Sequence, residues 1–150
     1  MKFDRKILPD TNYSPKFITK KRLHEDEIDF DRLRSYRLDR VKKELSKRDI
    51  GACILFDPVN VRYALDTTNM SIYNMHNLTR YCFIPVSGPV ILYEYFNCEH
   101  LAKHLTLIDE IRLGITWDYF SVGDQVENQL KKWTGEVENL MNSHCGKNKR

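Results

Sequence analysis

The chain has 150 residues and a mass of 17.9 kDa, is 41% hydrophobic and 30% charged, and so suits one globular domain with a real core. Its net charge of +3 is uneven, with 15 Lys/Arg against 10 Asp/Glu in the first fifty residues and 9 against 11 in the rest. That balance argues against a nucleic-acid module, which concentrates basic charge among exposed aromatics, and no run approaches the roughly 18 apolar residues of a membrane helix.

Residues 1–30 mix charge, Pro9, Pro15 and scattered hydrophobics without a period, the pattern of an extended arm. The amino terminus "MKFDRKILPD" lacks the apolar stretch of a secretory leader, which sets the cytoplasm as the expected location. From Asp31 as N-cap, a helix is predicted to Arg48, with Leu38, Val41 and Leu45 on its buried stripe. The basic residues of "RLRSYRLDRVKKELSKR" then form its solvated face. "GACILFD" (51–57) reads as a strand covered on both faces, and Pro58 opens a short helix that turns Val61 and Ala64 inward.

The next stretch, "TTNMSIYNMHN" (67–77), has no Gly or Pro and is longer than a chain reversal needs. Two readings stand side by side. In one, Met70, Ile72 and Met75 enter the core while Asn69, Asn74 and Asn77 satisfy backbone groups. In the other, the loop faces a ligand or partner. "RYCFIPV" and "PVILYEY" follow as two strands joined compactly at Ser87-Gly88. "NCEHLAKHL" is a short helix, "IDEIRLG" a strand and "WDYFSVG" a connection or edge strand. Asp124 and Glu127 form a capping-box-like pair for a last helix, which carries Val126, Leu130, Trp133, Val137, Leu140 and Met141 inward and stops near Gly146. This order implies an α/β fold, a mixed β-sheet flanked by helices.

The residues that could carry chemistry do not converge. His100 and His104 have metal-ligand spacing, but Leu101 stands where a zinc protease needs its Glu, and no third ligand is evident. Asp109 and Glu110 point to opposite faces of a strand. Asp57 and Asp66 read as element-end polar residues. Cys53, Cys82, Cys98 and Cys145 lack a CxxC pair and read as buried thiols. The glycosylation-type tripeptides Asn69-Met70-Ser71 and Asn77-Leu78-Thr79 carry no weight without a secretory signal. No nucleophile elbow, phosphate loop or dinucleotide fingerprint is present.

The run "ILFDPVNVRYALDTTNMSIYNMHNLTRYCFIPVSGPVILYEY" resembles the amino-terminal domain of the creatinase and proline-aminopeptidase family, the pita-bread metalloenzymes. Its nearest likeness is to the branch containing dimethylsulfoniopropionate lyase. The marks are Phe56-Asp57-Pro58, Asn60 with Arg62-Tyr63, Thr68-Asn69-Met70, and Asn74 to Asn77. The resemblance implies a ribonuclease H-like α/β domain over residues 31–150 that binds no metal itself, mediates dimer contacts and precedes a catalytic domain with two divalent metal ions. It also implies that the loop closes the neighbouring subunit's small-molecule substrate pocket through Asn69, Met70, Ile72, Tyr73 and His76. Tyr73 stands where the lyase branch tends to carry Trp, which keeps a flat apolar wall but adds a hydroxyl. The expected partner is a second copy or a catalytic-domain chain, with no nucleic acid and no membrane. Ending at "GKNKR", the chain is expected to lack the domain's last strand and every metal ligand, leaving a sheet edge exposed. The alternative is a stand-alone binding or regulatory module that reuses the fold. Catalysis by this chain alone has no residue set behind it.

Overall fold

A computed structural model of the chain describes residues 27–70 and 76–146. The chain divides into two compact units, residues 1–31 and 32–150. The arm expected over 1–30 lies almost wholly outside the described residues.

Helix α1 (Phe30–Lys47) carries acidic Asp31 in its first turn and Lys47 in its last, each at the end of the helix dipole that suits its charge. Asp31 therefore sits inside the helix and is not its cap, because the helix starts two residues earlier than its sequence suggests. Leu38 is buried and Val41 packs beside it on the expected stripe. Strand β1 (Ala52–Leu55) is half-buried along its whole length rather than fully covered, since it is an outer strand of the sheet.

Helix α2 (Pro58–Leu65) opens as its sequence dictates. Asp57 accepts a hydrogen bond from the Asn60 N–H at 2.9 Å, and Pro58 occupies the first turn, where a missing N–H costs nothing. Val61, Ala64 and Leu65 are buried.

Strands β2 (Tyr81–Pro85) and β3 (Ile91–Glu94) pair antiparallel, Tyr81 with Tyr93 and Phe83 with Ile91. Their connection is the five residues 86–90, longer than a two-residue turn, with Gly88 at φ +117°, a backbone state that favours glycine. A single 3₁₀ turn (Glu99–Leu101) replaces the helix expected in "NCEHLAKHL".

Strand β4 (Glu110–Leu113) lies parallel to β3, so the four-stranded sheet, in the order β1-β2-β3-β4, is mixed as expected. "WDYFSVG" is neither coil nor strand throughout. Asp118 accepts from the Ser121 N–H at 3.0 Å and starts the one-turn helix α3 (Tyr119–Val122).

A 3₁₀ turn (Gly123–Gln125) leads into α4 (Val126–His144), whose start has no side-chain cap. The capping box expected of Asp124 and Glu127 does not form, because Asp124 is taken up in the 3₁₀ turn and Gln125 instead accepts from the Asn128 side chain at 2.8 Å.

The strand period of two divides the core between the two faces of the sheet. Leu38, Val61, Leu65, Cys82, Ile84 and Leu92 are buried on the α1–α2 face. On the α4 face, Tyr81, Phe83, Ile91 and Tyr93 pack with Leu140 and Cys145. Aromatic rings dominate there. Tyr81 stacks on Tyr93 at 4.4 Å between centroids, and Trp117, from the connection before α3, lies 4.6 Å from Trp133 of α4. Each such pair adds about 0.5–1.5 kcal/mol beyond its buried area.

Candidate functional site

The segment from Asp66 to Arg80 joins the end of α2 to the start of β2. Asp66 closes α2 in the left-handed conformation (φ 56°, ψ 21°), its N–H donating to the Arg62 carbonyl at 2.9 Å. Arg34 of α1 donates to its carboxylate at 2.9 Å. This polar ending of the helix agrees with the sequence reading of Asp66.

Continuing the β2–β3 register by one position sets Arg80 opposite Glu94, and strand alternation turns both toward the α1–α2 face. Their side chains are 1% and 0% exposed, and Arg80 Nε donates to Glu94 Oε2 at 2.7 Å. Each charge has a further partner beyond the pair. Arg80 Nη2 donates to Thr67 Oγ1 at 2.9 Å. Glu94 Oε1 accepts from Asn69 Nδ2 at 2.9 Å and from the Tyr95 N–H at 3.0 Å. A buried ion pair repays its desolvation only with such additional hydrogen bonds.

Thr67 and Asn69 belong to the entry of the segment, Arg80 to its exit, and Glu94 to the strand between β2 and β4. On the exit side, Asn77 Oδ1 accepts from the Thr79 N–H at 2.9 Å. Gly114 lies so close that a Cβ there would collide with the Thr79 carbonyl.

The five residues that the sequence singles out fall into three groups. Asn69 is half-buried and held on Glu94, while its own Oδ1 accepts from the Met70 N–H at 2.7 Å. Met70, at 62% exposed, and His76 face solvent, so Met70 is not a core residue as the structural reading of the loop has it. Ile72 and Tyr73 lie outside the described residues, as do Asn74 and Met75.

Sequence reasoning passed over Arg80, Glu94 and Thr67. A signal was available: Arg80 and Glu94 are opposite charges equidistant from Ser87, one at the border of each of two apolar strands. The symmetry of a hairpin brings such a pair together.

Other candidates hold no chemistry. A groove of about 570 Å³ is lined by Val41, Leu45, Cys53, Leu55 and Tyr63, with Arg40, Glu44 and Arg48 also on its wall. Burial pushes the Cys53 thiol up from its ordinary value, which suppresses the thiolate that a nucleophile requires. None of the four cysteines is in a disulfide, and Cys82 and Cys145 are buried. His100 and His104 are exposed and do not share an α-helical turn. Among the described residues, no three His, Cys, Asp or Glu could hold a metal ion, so the two metals implied by the family resemblance find no ligand set there. No helix of the described residues is long and apolar enough to cross a membrane.

The chain matches no protein-family model. It is similar to the dimethylsulfoniopropionate lyase DddP of Roseovarius nubinhibens, 35% identical over 122 residues, which cover 81% of this chain and 27% of that protein. It is also similar to the protein of the same name from Roseobacter denitrificans, 32% identical over 120 residues, 80% of this chain and 27% of the relative. The likeness to the dimethylsulfoniopropionate lyase branch expected from the sequence is therefore present. The chain spans about a quarter of the length of the curated relatives it matches.

Proposed function

We propose that this chain is the non-catalytic amino-terminal α/β domain of a dimethylsulfoniopropionate lyase-like enzyme of the creatinase and proline-aminopeptidase type. In this reading it contributes dimer contacts, and its loop 67–77 helps to close the substrate pocket of the neighbouring subunit. Met70, Ile72, Tyr73 and His76 line that pocket, and Asn69 holds the loop's entry. The metal ions and the bond-breaking groups belong to a catalytic domain outside these residues.

The observation that carries the reading is the likeness to two dimethylsulfoniopropionate lyases over four fifths of this chain and only 27% of theirs.

A chimera tests it. The matching quarter of the Roseovarius lyase is replaced by this chain, and dimethylsulfoniopropionate cleavage is measured. The chimera is expected to retain activity, and Tyr73→Ala within it is expected to reduce turnover or substrate affinity without unfolding. Unchanged kinetics in Tyr73→Ala would refute the pocket role. Cleavage of dimethylsulfoniopropionate by the isolated 150-residue chain would refute the assignment as non-catalytic.

A further inference from the structure

We infer that the buried Arg80–Glu94 pair is a positioning clamp, whose task is to fix the two ends of the 66–80 segment relative to each other and to the sheet. Any buried pair needs hydrogen bonds beyond itself, and what sets this one apart is where they run. Here each charge reaches across to the entry of the segment, Arg80 to Thr67 at 2.9 Å and Glu94 to Asn69 at 2.9 Å. Arg80 is itself the last residue of the exit.

The geometry requires arginine. One planar guanidinium serves Glu94 through Nε and Thr67 through Nη2, two fixed directions that a lysine ammonium on its flexible stem does not reproduce. It equally requires a carboxylate, because Glu94 Oε2 accepts from Arg80 while Oε1 accepts from both Asn69 and the Tyr95 N–H. Both side chains are essentially inaccessible, so the network is little screened by solvent and holds one arrangement. Neither residue is available to touch a substrate. Both act through Thr67 and Asn69 on whatever the segment presents.

What the loop is presented to rests on the function proposed above. That the pair positions it is a property of this chain and is read without partner or substrate, by amide hydrogen exchange. Thr67→Val removes one link of the clamp and touches neither acceptor of the two reporter amides, Met70 in the entry and Thr79 in the exit. Exchange at both is expected to accelerate about fivefold, the loss of one ordinary hydrogen bond, with the Phe83 and Leu92 amides unchanged relative to the global opening rate.

The double variant Arg80→Met with Glu94→Leu is the second arm. Replacing a buried pair by apolar side chains is often neutral for stability, so the melting temperature is expected to return near the native value while Met70 and Thr79 stay fast. Arg80→Lys, which keeps the charge, is expected to leave them fast as well. Recovery of native exchange in the double variant would overturn the clamp. If that variant does not fold, native exchange in Thr67→Val would overturn it. In the chimera, loosened stems with unchanged kinetics would refute the pocket role and leave the clamp standing.

Discussion

Tyr93 and Glu94 are neighbours on β3, yet strand alternation gives them opposite worlds. Glu94 enters a network closed to water, in which every charge is compensated within the protein. Tyr93 points to the α4 face, where its hydroxyl donates to Glu136 Oε1 at 2.7 Å and Arg112 of β4 bridges Glu136 and Glu110. That second network is wet: the Arg112 side chain is 35% exposed, and Glu110 and Glu136 are 43% and 29% exposed. The two use the same chemical groups and differ in solvent. The buried one can set a geometry, whereas the open one competes with water at every contact and adds little.

The largest expected effect comes from breaking the closed network. Glu94→Gln leaves the Arg80 guanidinium buried without a counter-charge and is expected to cost about 3–5 kcal/mol, measured by denaturant unfolding. Gly114→Ala attacks the same region from just past the end of β4, because its methyl group meets the Thr79 carbonyl. It is expected to cost about 1–3 kcal/mol and to loosen the exit of the loop.

On the wet face, Tyr93→Phe is expected to cost no more than about 1 kcal/mol. Raising salt to the molar range should shrink the effect of Glu136→Gln and leave that of Glu94→Gln in place. A pH titration gives the smallest and sharpest contrast. The Tyr93 hydroxyl, with Arg112 beside it, holds the Glu136 carboxyl below its ordinary value of 4.5. A carboxyl whose folded value is depressed contributes stability that is fully present above the unfolded value and is lost as pH falls through the folded one. Glu136→Gln is therefore expected to lower stability near neutrality, to change little once pH has fallen well below 4.5, and so to flatten part of the acid limb of the stability curve. A variant that altered stability equally at pH 7 and pH 3 would dissolve the contrast between the faces.

Much of the frame was legible in the sequence, because it rests on local rules. Pro58 specified the start of α2, two apolar runs either side of Ser87-Gly88 located β2 and β3, and the stripe of Leu38 and Val41 oriented α1. What failed were choices that tertiary contacts make. Trp117 finds Trp133 and draws its segment inward, so a stretch that reads as connection or edge strand turns through α3. The start of α4 follows a 3₁₀ turn, which local capping rules do not anticipate. The candidate site was legible only as an unusual loop. Its anchor was hidden because Arg80 and Glu94 look like ordinary strand-border charges until the hairpin register joins them.

That register guards itself. If β3 slid one residue along β2, the Glu94 carboxylate would rotate off Arg80 and onto the shelf formed by Tyr81, Trp117 and Trp133, while an aromatic ring entered the space built for a charge. Misaligned hairpins thus carry a desolvated anion among aromatic rings, a cost that the native register alone avoids.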